Sequence, residues 1–398
     1  VDPLTRPLLV NSLTQTINRL RTLEDDIGAG CLTLLRKVGD PEQDRNVIAG
    51  LAGNLLPVLF NLLGATASEQ RATLLDCIKA VMEVCPDTMV KEYFGRVSSL
   101  LSTKSNGEEA TTLVELLITM VGFLEFDYYN QLLNISLPIL ETATDVGLQK
   151  AGYKALHWIL SHELYGPQLL KFNWDALETI LLHAAGALVE IGAVKKRRFR
   201  LLLGIIPQLP DNSLHWIAIL LPETVLGIKE ANQKARLLSF ELLLAMARRM
   251  ARGGIVRGEP IGLPSNQTAS LDEFITMVLA GLAGRTPHMI SATVVALARL
   301  LFDLSGVIPP ETVQALLSDI LLLLGSPSRE LVKAAFGFIK VAIIVLPSEA
   351  LLPHLATLIQ SVLAWSDEHA LHFKVRVRHL MERLIHRFGY EKVHDCVP

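Results

Sequence analysis

Four alanines recur early in apolar, helix-period segments of this chain: Ala151 in QKAGYKALHWI, Ala235 in QKARLLSFELLLAM, Ala292 in SATVVALARLLF and Ala334 in VKAAFGFIKVAII. Their intervals are 84, 57 and 42 residues. The first is two units of 42, and the second is one unit plus about 15, the length of a loop from Gly253 to Thr268 that lies inside it. One unit beyond Ala334 falls in KVRVRHLMERL, the last strong helix. Leu-Pro pairs ending at Pro57, Pro138, Pro222 and Pro353 keep the same beat, with spacings of 81, 84 and 131. A period of about 40–47 residues predicts a pair of antiparallel helices per unit. Such a pair cannot bury its apolar face alone and must stack on its neighbours.

Composition agrees. A chain of 398 residues is too long for one compact core, whereas a stack of helix pairs extends its core with every unit. Half of the residues are hydrophobic and only 6% aromatic, which suits helices with one wide apolar stripe. The expected fold is therefore all-α, a HEAT/armadillo-type α-solenoid: a right-handed superhelix of about nine antiparallel helix pairs. A small side chain near the start of each second helix lets backbones approach, while Leu, Ile and Phe at i+3, i+4 and i+7 fill the layer. Residues 1–44 read as an irregular start, part of a truncated preceding repeat. Residues 45–252 read as repeats, 253–268 as an inserted loop, and 269–398 as the last repeats and end of the solenoid. Helices are expected from Asn173 to Glu190, Val194 to Gln208, Ala231 to Arg252, Glu349 to Ala364 and Asp367 to Phe388, among others. Asp145, Asn212, Ser328 and Asp367 are expected to cap helix starts. No strand-period stretch stands out.

Chemistry-bearing motifs are absent. The chain contains no GxxxxGK[ST], GxSxG, HExxH or paired CxxC. Arg252-Gly-Gly-Ile-Val-Arg-Gly258 is glycine-rich but lacks the Lys-Ser/Thr of a phosphate loop. His369 and His372 share a helix face without an evident third ligand, so the metal expectation is none. Cys31, Cys77, Cys85 and Cys396 lack metal-type spacing and read as thiols of a reducing compartment. The apolar run Ala334–Leu346 is too short for a membrane span and contains Lys340. The expectation is a scaffold, with neither enzyme activity, cofactor nor membrane partner.

Charge says more than motifs do. The whole chain is at −3, yet Lys195 to Arg257 holds 12 Lys/Arg against 4 Asp/Glu, so this stretch is at +8 and the remainder at −11. Its sharpest part is Lys195, Lys196, Arg197, Arg198 and Arg200 around Phe199, at a helix start, where cations oppose the helix dipole. An inward stripe of Phe199, Leu202, Leu203 and Ile206 leaves Lys196, Arg197 and Arg200 outside. Arg248, Arg249 and Arg252 end a later helix, Arg257 follows, and stacking is expected to align both clusters as a basic stripe. Three readings of it stay open: the phosphate backbone of structured RNA, an acidic protein segment, or a solvated face. Any RNA binding would be sequence-independent and salt-sensitive. On the last helix, Arg376, His379, Arg383 and His386 form a further face, opposite Phe373, Val377, Leu380, Leu384 and Phe388, expected to contact protein or cap the solenoid.

The C-terminal run KVRVRHLMERLIHRFGYEKVHDCVP, with LLPHLATLIQSVLAWSDEHALHF before it, resembles the end of the HEAT region of the family of ribosomal RNA-processing protein twelve. NQKARLLSFELLLAMARRMARGG, SATVVALARLLFDLSG and ELVKAAFGFIKVAIIVLP resemble the same family's repeats, most clearly from Leu214 to Pro398. The resemblance implies a nuclear and nucleolar factor of ribosome biogenesis. Its expected partners are pre-ribosomal RNA, assembly factors, small-subunit ribosomal proteins and the Ran transport machinery. It implies work in the 90S pre-ribosome, or small-subunit processome, and in export, with shuttling to the cytoplasm. It carries over no catalytic residue. An importin-type transport receptor and a regulatory scaffold for a phosphatase or kinase share the period and remain alternatives.

Overall fold

The computed structural model describes residues 11–12, 14–15, 41–66, 71–104, 107–143, 145–182, 192–368 and 370–397. Most of the irregular start expected over 1–44 thus lies outside the described residues. The chain divides into two compact units, Val1–Leu188 and Val189–Pro398. In the first, α1 (Pro41–Gly64) pairs with α2 (Arg71–Met82), α3 (Asp87–Thr103) with α4 (Gly107–Val121), and α5 (Phe126–Thr142) with α6 (Val146–Leu160); α7 (Gly166–Phe172) and α8 (Trp174–Leu182) follow. The second opens with α9 (Gly192–Ile205). It continues with α10 (His215–Gly227) and α11 (Gln233–Ala251), α12 (Leu271–Leu279) and α13 (Pro287–Leu304), and α14 (Pro310–Leu322) and α15 (Arg329–Val345). It closes with α16 (Ser348–Leu351), α17 (Leu355–Glu368), α18 (Ala370–Phe388) and the short α19 (Tyr390–His394).

Second helices stack on second helices: α2 on α4 and α4 on α6, then α9 on α11, α11 on α13, α13 on α15 and α15 on α18. Each unit is therefore an all-α stack of the HEAT type. The sequence period reappears in the polar contacts, because equivalent faces of neighbouring repeats meet. Asn173 donates to Asn130 Oδ1 at 3.1 Å, 43 positions away. Thr312 donates to Asp272 Oδ1 at 2.7 Å across 40 positions, and Ser291 to Glu330 Oε1 at 2.8 Å across 39.

The markers have physical causes. Ala151, Ala235, Ala292 and Ala334 lie near the starts of α6, α11, α13 and α15 and are all buried, so close backbone approach accounts for their size. Pro57, Pro138 and Pro222 sit inside the first helices α1, α5 and α10, where a missing N–H and a clash with the carbonyl four residues back bend a helix. Pro353 acts more strongly: it lies in a 3-10 turn, Leu352–His354, that separates α16 from α17 where one helix was expected. The helix expected from Asn173 to Glu190 begins as α8 at Trp174, because Asn173 is the C-cap of α7 and its amide donates to the Leu169 carbonyl at 3.0 Å; the part of it beyond Leu182 lies outside the described residues.

Capping departs from expectation in a similar way. Asp145 caps α6 by accepting from Leu148 N at 2.8 Å, but Asn212 precedes α10 by a turn and Ser328 makes no side-chain cap bond. Asp367 lies inside α17. The caps that form in their place are Asn232, Ser270 and Thr286. Gly253–Thr268 also holds a small ribbon, β1 (Ile255–Val256) antiparallel to β2 (Gln267–Thr268). Two-residue strands are too short to leave an alternating pattern. The helix α13 is 18 residues long and apolar enough to cross a membrane by length and composition; half of it is buried, packed between α11 and α15, and here it is a core helix.

Candidate functional site

The basic run on α9 separates into two sets by helix phase. Val194, Arg198, Leu201, Leu202 and Ile205 recur three and four residues apart and are buried together with Phe199. Arg198 is 0% exposed, and its Nε donates to both Glu223 oxygens of α10 at 2.8 and 3.0 Å. Lys195 is partly buried and bonds Glu230 Oε1 at 2.5 Å. These two cations hold α9 against α10 and its following turn, and they do not belong to an outer face. Lys196, Arg197 and Arg200 do share a face, with Arg200 exposed and Lys196 and Arg197 partly so. Desolvation, followed by the charges of Lys234, Arg197 and Arg200, holds the Lys196 ammonium below its ordinary pKa. Lys234, exposed at the start of α11, therefore completes a cluster of four that sequence reasoning saw only as three. It was missed because it stands 34 residues away from Arg200 in the chain, one repeat on.

The second cluster lies elsewhere. Lys196 meets Lys234 near both helix starts, while Arg249 at the end of α11 meets the turn after α9, so the two helices run parallel. From Lys234 to Arg248 the helix rises by about 21 Å. Arg248 and Arg252 are exposed at that far end, and exposed Glu241 stands between Lys234 and Arg248 on one face, seven residues from each. The continuous stripe expected from both clusters is thus two patches with a carboxylate between them. Arg249 belongs to neither. It is buried, donating to Leu209 O at 2.8 Å, to Gly253 O at 3.0 Å and to Asp211 Oδ1 at 2.5 Å. Beside it Gly254, at φ +130°, lets its backbone pass within reach of Asp211, where a Cβ would meet the Asp211 carbonyl oxygen at 2.7 Å. Arg257 lies against His215, its Nη2 at 3.0 Å from the ring Nε2.

Arg249→Met is expected to destabilise the second unit by roughly 1–3 kcal/mol, the cost of leaving the Leu209 carbonyl without its donor. Arg248→Met, one residue away but exposed, is expected to stay within about 0.5 kcal/mol. Denaturant midpoints of the two variants check the contrast.

On α18, Arg376, His379, Arg383 and His386 are exposed and Val377, Leu380 and Leu384 buried, while Phe388 is only partly buried; the side chain of Phe373 lies outside the described residues. Glu382 accepts from Arg378 Nε at 2.8 Å and pairs with His379 Nδ1 at 3.4 Å, and the Arg378 bond holds its carboxyl below the usual range. His369 and the His372 side chain lie outside the described residues. Among the described residues no group of three or more His, Cys, Asp or Glu is placed to hold a metal ion. The Cys85 thiol is pushed up to about 11 by burial, which leaves it almost wholly protonated at neutral pH.

The fold is a stack of helix pairs of the HEAT type, with cationic patches at the starts of α9 and α11 and at the end of α11; function on such a fold lives in surface sites. Comparison with known proteins adds the particular relatives. The chain is 29% identical to "Ribosomal RNA-processing protein 12" of Saccharomyces cerevisiae over 92% of its length, covering 31% of that protein. It is 28% identical to the human "RRP12-like protein" over 98% of its length, and 26% identical to a putative ribosomal RNA-processing protein 12 of Schizosaccharomyces pombe over 99%. The resemblance first read in the C-terminal half therefore runs through nearly the whole chain, which spans about a third of each relative's length. No family model matches. Solved structures with related geometry include an engineered protein (TM-score 0.39, 16% identity, 96% of each chain). Another is importin beta, at TM-score 0.39 and 14% identity over 95% of this chain and 50% of that one.

Proposed function

We propose that this chain is a non-enzymatic scaffold in ribosome biogenesis that binds pre-ribosomal RNA at Lys196, Arg197, Arg200 and Lys234. One observation carries the reading: four cations from two parallel helices share one patch, where desolvation and then the charges of Lys234, Arg197 and Arg200 hold the Lys196 ammonium below its ordinary pKa. Like charges held this way are relieved by a polyanion from outside. The helix dipoles of α9 and α11 are positive at the same end and act in the same direction. The nearby carboxylates Glu223 and Glu230 are held by Arg198 and Lys195. No base-reading motif accompanies it, which suits recognition of backbone phosphate on structured RNA. The names of the relatives, which are ribosomal RNA-processing proteins, support ribosomal RNA precursors as that RNA.

In this reading the protein works on small-subunit precursors in the nucleus and nucleolus, within the 90S pre-ribosome, with assembly factors and small-subunit ribosomal proteins on other faces. The Ran transport machinery joins it in export. Purification of the tagged protein from cells at moderate salt, with the eluate probed for ribosomal RNA precursors, tests this. Recovery of small-subunit precursors is the expected result. An eluate carrying Ran and cargo, or a phosphatase, but no precursor RNA would overturn it.

A further inference from the structure

The helix α15 carries a feature that its own fold does not require. Gly337 sits mid-helix and exposed in a 17-residue helix, has no positive φ, and a Cβ built on it would meet nothing within 4 Å. Glycine is among the poorest helix formers, and neither a turn nor a close neighbour asks for it here. What it does is keep a low saddle between two trenches. Lys333, Gly337 and Lys340 form the exposed ridge of α15 at i, i+4 and i+7, and Lys333 and Gly337 line both trenches.

On one side, toward α18, a groove of about 450 Å³ is walled by Lys333 and Lys340 of α15 and by Arg376, His379 and Arg383 of α18, with no carboxylate in its lining. The cations come in two rows with the same seven-residue step, about 10 Å along each helix. Glu382, on α18, is committed to Arg378 and His379. On the other side, toward α13 and α11, a groove of about 570 Å³ is mainly apolar. Phe302, 54% exposed, lines it with Phe240, Ala298 and Ala334. Arg299 lies 5.7 Å from the Phe240 ring and pairs with Asp303. Glu330, at its edge, is already held by Lys229 at 3.2 Å, by Ser291 at 2.8 Å and by His288 at 3.3 Å.

We propose that α15 is a docking site for an acidic peptide segment with a bulky apolar side chain, the apolar anchor seated between α13 and α15 and the carboxylates between α15 and α18. Charge complementarity selects acid on the α18 side, where Lys333, Lys340, Arg376 and Arg383 line the groove beside Phe336 and Leu380 and no carboxylate does. The apolar trench selects a peptide over nucleic acid, since a phosphate backbone crossing the same saddle would leave that trench empty. A helix is about 10 Å across with its side chains and an extended chain advances about 3.3 Å per residue. The anchor and the first carboxylate are therefore about three residues apart.

Selection of a random 12-residue display library on the full chain tests the site without assuming a sequence. Peptides pairing a bulky apolar residue with two or more Asp/Glu about three positions away are expected to be enriched. Gly337→Gln fills the saddle from open space and improves the helix, so it is expected to keep or raise the unfolding midpoint while weakening selected peptides at least tenfold. Lys333→Glu with Lys340→Glu is expected to do the same by charge. Enrichment of no such pattern, or peptides whose binding both variants leave unchanged, would overturn the proposal. So would a single-stranded RNA oligonucleotide that binds here in their place and is lost on Lys340→Glu with Arg383→Glu. None of these outcomes depends on the cluster at Lys196.

Discussion

Glu223→Ala will destabilise the second unit more than any exposed substitution in the basic region, by about 3–5 kcal/mol. The Arg198 side chain it partners is fully buried and Glu223 itself is 18% exposed, with two bonds from the guanidinium Nε to the two carboxylate oxygens. Removing the carboxylate takes away both bonds from Nε while the guanidinium charge stays in an apolar layer beside Phe199 and Leu202. Removing both charges is a different matter, because a buried ion pair recovers little more than its desolvation cost. The double variant Arg198→Met with Glu223→Leu is therefore expected to regain most of the loss. Denaturant unfolding of the wild type, the single and the double variant separates the cases. A single variant as stable as the wild type would show that the pair is not buried as described.

The same residue shows how far the sequence can be read. The period of 42 is a property of the stack, since each repeat meets the next through equivalent faces, and it was legible because alanine and proline mark positions where geometry leaves little choice. The phase within α9 was harder. Taking Phe199, Leu202, Leu203 and Ile206 as the inward stripe places its centre slightly to one side. The buried set actually includes Val194, Arg198, Leu201 and Ile205, and Leu203 is only partly buried. A shift of that size is enough to turn Arg198 from a surface cation into a core one. Arg249 is buried for the same reason, three residues after buried Met246 and seven after Leu242. Lys234, Lys333 and Lys340 carried no local signal at all. Each is an ordinary exposed lysine in its own helix, and only stacking brings it beside the cations of the neighbouring repeat.

Reversal of Lys196, Arg197 and Arg200 to Glu is the second large effect expected, and it separates binding from folding. These side chains are at least partly exposed, so helicity and the unfolding midpoint should stay close to those of the wild type. RNA affinity should not. Each phosphate neutralised contributes about −0.7 to −0.9 to the slope of log affinity against log salt. Losing three contacts should flatten that slope by roughly 2–3 units. Replacing attraction by repulsion should lower affinity at moderate salt by at least about a hundredfold, beyond the loss of counterion release alone. Titration of a structured pre-ribosomal RNA fragment at several salt concentrations reads both quantities. Lys234→Glu alone should flatten the slope by somewhat under one unit, which tests whether the fourth cation acts with the other three. An unchanged slope in the triple variant, with the fold intact, would remove this cluster from RNA binding and move the search to Arg248 and Arg252, about 21 Å along α11.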